Sequence, residues 1–305
     1  ALDHANMPVK VQRNAWADTE WPGRHITCSW TPPTFRLFPR VVVWRPCSSV
    51  CTRPEFAEGV AVVKARAMTD DQTARPTPDR PAPIAPALQV KENGPYIVSG
   101  SAPLRRIRAV VSEQDEPMTW QTYGQIESRP VVALCRCGGS QTKPFCDGTH
   151  AAIGFDGSET APVDTYDERA NTFEGTRIVM RDDRGICENA GFCGNHVTNV
   201  WEMMEGSATD DTIVRAQVMS MIEHCPSGAL TFRLEPDGDD VEPELVTGIG
   251  VVEDGPLYVT GGLAVERSDG LPFESRNRMT LCRCGASGSK PLCDGSHASS
   301  GFSDG

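Results

Sequence analysis

The sequence predicts an α+β architecture in which two small β-rich units, paired by pseudo-twofold symmetry, flank an inserted α+β module. Three observations predict it. The string "CRCGGSQTKPFCDGTH" (135–150) returns as "CRCGASGSKPLCDGSH" (282–297). Each copy follows a turn signal and a short β-rich run, "NGPYIVSG" (93–100) and "DGPLYVTG" (254–261). Between the copies, apolar residues recur at helical spacing over 197–204 and 212–225, bounded by strand-like runs at 176–181 and 229–234.

Taken in chain order, residues 1–87 read as a disordered or wrongly included leader and a proline-rich linker. Residues 1–67 carry nine Lys+Arg against five Asp+Glu and four of the six tryptophans, unlike the rest. Cys28, Cys47 and Cys51 lack an evident fourth ligand for a metal site, and Met68 reads as the true start. The segment 75–86 holds five prolines in twelve positions, a semi-rigid spacer. The first repeat then occupies 88–157, the inserted module 171–236 and the second repeat 248–305. The first copy is longer, with 35 positions from Gly100 to Cys135 against 21 from Gly261 to Cys282. A unit of this size builds a poor core alone, which predicts that the repeats pack together within the chain.

The bulk numbers narrow the function classes. A net charge of −12 over 305 residues argues against nucleic acid, which recruits basic faces. No apolar stretch approaches the roughly 20 residues of a membrane span, and no secretory signal is evident. Nine of the twelve cysteines fall in three tight groups, a pattern of metal sites more than of disulfides. A cytoplasmic location is expected.

Cys135, Cys137, Cys146 and His150 form a four-ligand set on one loop, as do Cys282, Cys284, Cys293 and His297. Zinc accepts three thiolates and an imidazole in a tetrahedron; a [2Fe–2S] cluster accepts the same four, two per iron. The one-residue gap of the first pair and the i, i+4 gap of the second lean toward the cluster, but spacing leaves both open.

Both copies fit C-x-C-x2-S-x3-P-x-C-D-G-[ST]-H without a gap, and this resembles the CDGSH iron–sulfur domain of the mitoNEET-like proteins. The match takes in Ser140, Pro144, Asp147, Gly148, Ser287, Pro291, Asp294 and Gly295 besides the ligand set, and extends weakly to the upstream β-rich runs, about two fifths of the chain. The resemblance implies one [2Fe–2S] cluster per copy, held by three cysteines and a histidine.

The intervening residues have physical work to do. Asp147 and Asp294 are expected to cap the helix that carries each histidine. Gly148 and Gly295 admit close backbone approach, and Pro144 and Pro291 stiffen the loop. Arg136, Lys143, Arg283 and Lys290 read as solvated. A neutral imidazole in place of a thiolate leaves the oxidised site one negative charge fewer, which raises its potential. It also makes the site sensitive to mild acid, because a protonated ring cannot coordinate.

The inserted module carries "CENAGFC" (187–193) and "CPSGAL" (225–230). A ferredoxin binds [4Fe–4S] through C-x2-C-x2-C and a remote C-P. Cys187 and Cys193 keep the outer spacing, Ala190 stands in the middle, and Cys225-Pro226 supplies the remote ligand. Three cysteines suit a [3Fe–4S] cluster; the alternative is [4Fe–4S] with a non-cysteine fourth ligand. The segment resembles the divergent single-cluster ferredoxins found beside CDGSH domains, which often place a histidine where Asn189 stands. His196 and His224 read as surface or packing residues, and Trp201 and the methionines as core.

Three functions follow: an electron carrier between soluble redox partners, a labile-cluster donor or redox and pH sensor serving a cluster-acceptor protein, or an enzyme. With no nucleotide loop, no supported Ser/His/Asp set and no C-x3-C-x2-C motif, the sequence reads as non-enzymatic.

Overall fold

A computed structural model of the chain describes residues 85–127 and 129–304. The leader, its cysteines and Met68 lie outside the described residues. The elements run β1 (Ala87–Val90), β2 (Tyr96–Ser99), β3 (Leu104–Val111), β4 (Pro117–Ile126), β5 (Val131–Leu134) and α1 (Thr149–Ala152) through the first repeat. There follow α2 (Tyr166–Arg169), β6 (Asn171–Gly175), β7 (Ile178–Asp182), α3 (Val200–Met203), α4 (Thr212–Glu223) and β8 (Leu230–Arg233). The second repeat supplies β9 (Gly248–Val252), β10 (Leu257–Thr260), β11 (Ala264–Glu266) and β12 (Arg278–Leu281). The protein is mixed α and β, dominated by sheets.

The sheets draw on both repeats. One has the order β11-β1-β2-β5 and another β12-β10-β9-β3-β4. The second repeat thus lends β11 to the first, parallel to β1 with Leu88 opposite Val265, and the first lends the β3–β4 pair to the second, β3 running parallel to β9 with Leu104 opposite Ile249. The strands are written as strands should be. In β2, Tyr96 and Val98 point to the core while Ile97 and Ser99 alternate outward. Asn93 and Asp254 open the turns before β2 and β10 at φ 46 and 49, a left-handed conformation that Asn and Asp tolerate. Gly250 lets β9 meet β3: a Cβ there would lie 2.5 Å from Ile107 Cδ1.

The inserted module is a three-stranded antiparallel sheet, β6-β7-β8, with α3 and α4 packed beside it. It keeps the β–α–α–β order expected for 176–234 and adds β6. The long helix α4 begins where the Asp211 carboxylate accepts from the Ile213 N–H at 2.7 Å, and it buries Val218 and Ile222. One apolar cluster runs through all three sheets, joining Leu88, Tyr96, Val98, Leu134, Met180, Ile222, Phe232, Ile249, Leu257 and Leu281. Met203 and Met204 are core as expected, whereas Trp201 is half-buried and donates through Nε1 to Asp182 Oδ2 at 3.1 Å. The buried Arg278 ties the insert to the second repeat, donating through Nη2 to the Leu230 carbonyl at 3.1 Å and pairing with Glu242 at 3.0 Å.

Candidate metal centres

In each repeat the last strand delivers the first cysteine, and the chain then folds back on itself. Cys135 N–H donates to the Pro144 carbonyl at 2.7 Å, and Cys146 N–H to the Ala133 carbonyl at 2.9 Å. The second repeat repeats the pattern with Cys282 to Pro291 at 2.8 Å and Cys293 to Thr280 at 3.0 Å. Both Lys-Pro bonds in these loops, 143–144 and 290–291, are cis. This return sets the four donors of each loop in two pairs. Cys135 and Cys137 Sγ lie 3.9 Å apart and Cys282 and Cys284 Sγ 3.6 Å apart. Cys146 Sγ lies 3.3 Å from His150 Nδ1, and Cys293 Sγ 3.3 Å from His297 Nδ1. A tetrahedral metal with sulfur bonds of about 2.3 Å holds two sulfurs about 3.8 Å apart. The donors therefore fit metal in pairs, two per loop.

The loop is held differently from the expected helix cap. Gly148 and Gly295 occupy the N-cap positions, at φ 90 and 86, and no side chain caps either helix there. The aspartates work one residue earlier. Asp147 Oδ1 accepts from Thr149 N–H at 3.0 Å while Oδ2 accepts from Gln141 N–H at 2.8 Å. Asp294 does the same with Ser296 at 3.0 Å and Gly288 at 2.7 Å. Each carboxylate thus pins the C-x-C side of the loop to the histidine side. The Thr149 and Ser296 hydroxyls first, then these backbone bonds, hold both below the ordinary aspartate range, at Asp294 together outweighing the opposing pull of burial, which is larger than any one of them. The Ser140 and Ser287 hydroxyls add a second clasp, donating to the Phe145 and Leu292 carbonyls at 2.6 and 2.7 Å.

Arg136 and Arg283 are not solvated: each is 1 % exposed. Arg136 donates to the carbonyls of Lys91 and Gly157 at 3.1 and 2.6 Å and lies near the Tyr96 and Phe155 rings. Arg283 donates to the carbonyls of Gly255 and Val252 at 2.9 and 2.6 Å and to Asp304 at 2.8 Å. Each guanidinium staples its cysteine pair to the β-turn that opens its repeat, which is why a cation recurs between the two cysteines. Lys143 lies over the Phe302 ring and Lys290 Nζ donates to the Ser287 carbonyl. Tyr96 reaches across repeats, its hydroxyl donating to the Cys282 carbonyl at 2.8 Å.

Burial shapes the thiols. Burial raises Cys137 above the usual range. The hydrogen bond with Cys284, then burial, raises Cys282 far more strongly, and the same hydrogen bond lowers Cys284. Burial also lifts Cys293, and it lowers the His297 imidazole, with the Arg283 charge second. A cation at these positions offsets the cost of ionising buried thiols, so the donor chemistry fits a metal.

In the insert, the turn after β7 carries Cys187 and Cys193, and the C-terminal end of α4 delivers Cys225. All three line one cavity of ≈ 140 Å³ together with Glu188, Asn189, Ala190, Phe192 and Ser227. Burial raises Cys193 first, and the sulfurs of Cys225 and Cys187 raise it further, as convergent thiols do. Arg184 Nη1 approaches Cys187 Sγ at 3.7 Å. His196 and His224 are absent from this lining. His196 Nδ1 sits 3.0 Å from Glu116, and His224 stacks on Phe192. Sequence reasoning missed Glu188, which is buried, faces the Thr280 hydroxyl without closing to a hydrogen bond, and is pushed up by burial to about 7. Its place beside Cys187 was the available signal.

Among the described residues no three His, Cys, Asp or Glu side chains gather as a site for one ion, and no helix is long and apolar enough to cross a membrane. The family model described as iron-binding zinc finger CDGSH type matches residues 93–151 and 254–298, and that described as divergent 4Fe-4S mono-cluster matches 173–235. No curated protein and no solved structure matches the chain.

Proposed function

We infer that this chain, whose two CDGSH-type regions flank a divergent mono-cluster region, binds iron–sulfur clusters and carries single electrons between soluble redox proteins. In this reading Cys135, Cys137, Cys146 and His150 hold one [2Fe–2S] cluster, and Cys282, Cys284, Cys293 and His297 a second. Cys187, Cys193 and Cys225 hold the central cluster. Bound clusters supply reversible one-electron chemistry. The chain's own part is to hold the donors still, exclude water and set the local charge. The reading includes a pseudo-twofold relation between the repeats, supported by their exchanged strands, a cytoplasmic location, and no bond-making chemistry.

The observation that carries carriage is how firmly the donors are held. Cys282 is 0 % exposed, and its loop is closed by Arg283, Ser287 and Asp294, as the first loop is by their counterparts. A carrier needs that retention; a donor must open. Because the donors close in pairs and no third His, Cys, Asp or Glu among the described residues joins a pair around one ion, the loops support two irons each over a single zinc. For the central site, three cysteines around Ala190 support [3Fe–4S], whereas the matched family's description supports [4Fe–4S], with Asn189 and Glu188 the oxygen-bearing side chains beside Cys187.

A second reading, cluster donation or sensing, is favoured by the first repeat, where nothing lies within 4 Å of a Cβ built on Gly148. Incubation with an apo-ferredoxin separates the two. Carriage predicts reversible redox titration with iron and acid-labile sulfide unchanged; transfer to the acceptor at matching loss supports donation. An iron count of about seven per chain identifies a [3Fe–4S] centre and about eight a [4Fe–4S] centre. Zinc in place of iron overturns both readings.

A further inference from the structure

The two repeats are not equivalent toward the insert. Cys187 Sγ accepts from the Asn189 N–H at 3.4 Å. The Asn189 side chain then donates through Nδ2 to the Asp294 carbonyl at 3.1 Å, and Asp294 is peptide-bonded to Cys293. A continuous route of covalent and hydrogen bonds therefore joins an expected ligand of the central site to one of the second repeat. Asn189 sits at φ 60, which asparagine tolerates better than most residues.

Neighbouring contacts reinforce the junction. A Cβ built on Gly295 would lie 2.7 Å from the Glu188 carbonyl oxygen, so only glycine allows the two segments to meet. Glu188 faces Thr280, whose carbonyl accepts from Cys293 N–H. At the equivalent Gly148 of the first repeat, nothing lies within 4 Å. The first repeat's ligand loop instead abuts that of the second, while β4 and the turn before it meet the insert, Trp120 Nε1 donating to the His224 carbonyl at 3.2 Å and Glu116 accepting from the His196 N–H. Gly138 packs on the Cys284 carbonyl, and a Cβ on Gly285 would lie 2.7 Å from the Cys137 carbonyl oxygen.

We propose that Asn189 joins the central site to the second repeat as an internally wired pair, with the second repeat's site the middle member of a line and the first repeat's site its far end. This rests on the reading that all three sites hold clusters. With clusters bound, the site that gives up one electron would be oxidised by one and its neighbour reduced by one. No bond forms or breaks, and no proton is needed. One-electron redox proteins in solution supply and remove the charge at the ends. Asn189 is a positioning residue: its carboxamide holds the 187–189 turn against 294–295, shortening the path that an electron must cross.

The test uses the full chain, purified without air, reduced, and observed by low-temperature electron paramagnetic resonance. Dipolar interaction falls as the inverse cube of separation, so the site beside the central cluster shows split or fast-relaxing signals. With the first site removed by Cys146→Ser and His150→Ala, the remaining [2Fe–2S] signal is expected to stay split. With the second removed by Cys293→Ser and His297→Ala, it is expected to become narrow. The reverse pattern, or narrow signals in both, overturns the proposal. Asn189→Gly keeps the backbone conformation and deletes the donor. It is expected to shift the midpoint potential of the second repeat's signal while the first repeat's signal stays unchanged. No shift, or equal shifts in both, counts against Asn189. Absence of any central cluster by iron count sinks the parent reading and this one with it, whereas filled sites without splitting sink this one alone.

Discussion

Arg283 donates to the Asp304 carboxylate at 2.8 Å, and among the described residues its guanidinium is otherwise bonded only to backbone carbonyls. Its counterpart Arg136 has carbonyl partners at Lys91 and Gly157 and, among the described residues, no carboxylate in its hydrogen bonds. The second repeat thus answers its buried charge with a carboxylate close to the C-terminal end of the sequence. Removing that carboxylate leaves a buried cation with dipoles alone, and Asp304→Ala is expected to cost about 2–3 kcal/mol. That is below the figure for a wholly buried pair because Asp304 is in part exposed. Thermal unfolding of the loaded protein, with iron retention at each repeat, checks it: the second repeat should loosen and the first should not.

The same pair sets a pH dependence. Burial alone would raise the Asp304 carboxyl, but the Arg283 hydrogen bond and charge outweigh it and hold it below the ordinary aspartate range. A carboxylate depressed on folding adds stability above its unfolded value of about 3.9, and that stability is lost as pH falls toward the folded value. Wild type should therefore lose its advantage over Asp304→Asn in that acid window and keep it in full at neutral pH. A constant gap between the two melting curves from pH 7 downward would refute the ion pair.

Two glycines at matching motif positions should respond unequally. Gly148 and Gly295 are both left-handed, so alanine at either costs about 1–2 kcal/mol in backbone strain. Gly295→Ala must in addition displace the Glu188 carbonyl, whereas Gly148→Ala meets open space. The expected order of melting temperatures is wild type, Gly148→Ala, then Gly295→Ala well below. Equal losses would mean that the insert does not press on the second repeat.

That contact marks the limit of what the sequence makes legible. The ligand loops are legible because sulfur and imidazole at short spacing define their own neighbourhood, and Cys135 with Cys137 or Cys146 with His150 must meet wherever the loop goes. The helix over 212–223 and the strand at 230–233 are legible from periodicity and from the Cys225-Pro226 break. The exchange of β3 and β11 is not, because Leu104 and Val265 carry the same alternating pattern whichever sheet receives them. Arg136 and Arg283 are misread for a related reason: a cation looks solvated until the carbonyls that surround it are assembled from distant turns. The Asn189 bridge needs two segments 105 positions apart, which no local pattern encodes.

Histidine ligation predicts acid sensitivity. Burial, with Arg283 second, lowers the His297 imidazole below its ordinary value of about 6.5. A histidine depressed in this way adds stability that is whole above the unfolded value and is lost as pH falls through the folded one. The neutral, ligating form at the second repeat therefore survives to pH values below the ordinary range and fails beneath it. His297→Cys, combined with His150→Cys, should retain visible absorbance after a jump to acid in which wild type bleaches. Equal decay of the two proteins would show that loss begins elsewhere than at the imidazoles.

Ala190 offers the sharpest test of the central site. It stands midway between Cys187 and Cys193 in sequence and lines the same cavity as Cys187, Cys193 and Cys225. If three sulfurs hold a three-iron cluster there, the missing iron corresponds to the missing thiolate. Ala190→Cys completes C-x2-C-x2-C with the remote Cys225, the ligand pattern of a four-iron cubane. The variant is expected to gain about one iron per chain and to lose the oxidised-state resonance that marks a three-iron cluster. Iron analysis and electron paramagnetic resonance on the two proteins, prepared side by side without air, measure both. An unchanged count of about eight would mean that the fourth iron is already held, with an oxygen or nitrogen donor beside Cys187 standing in for sulfur.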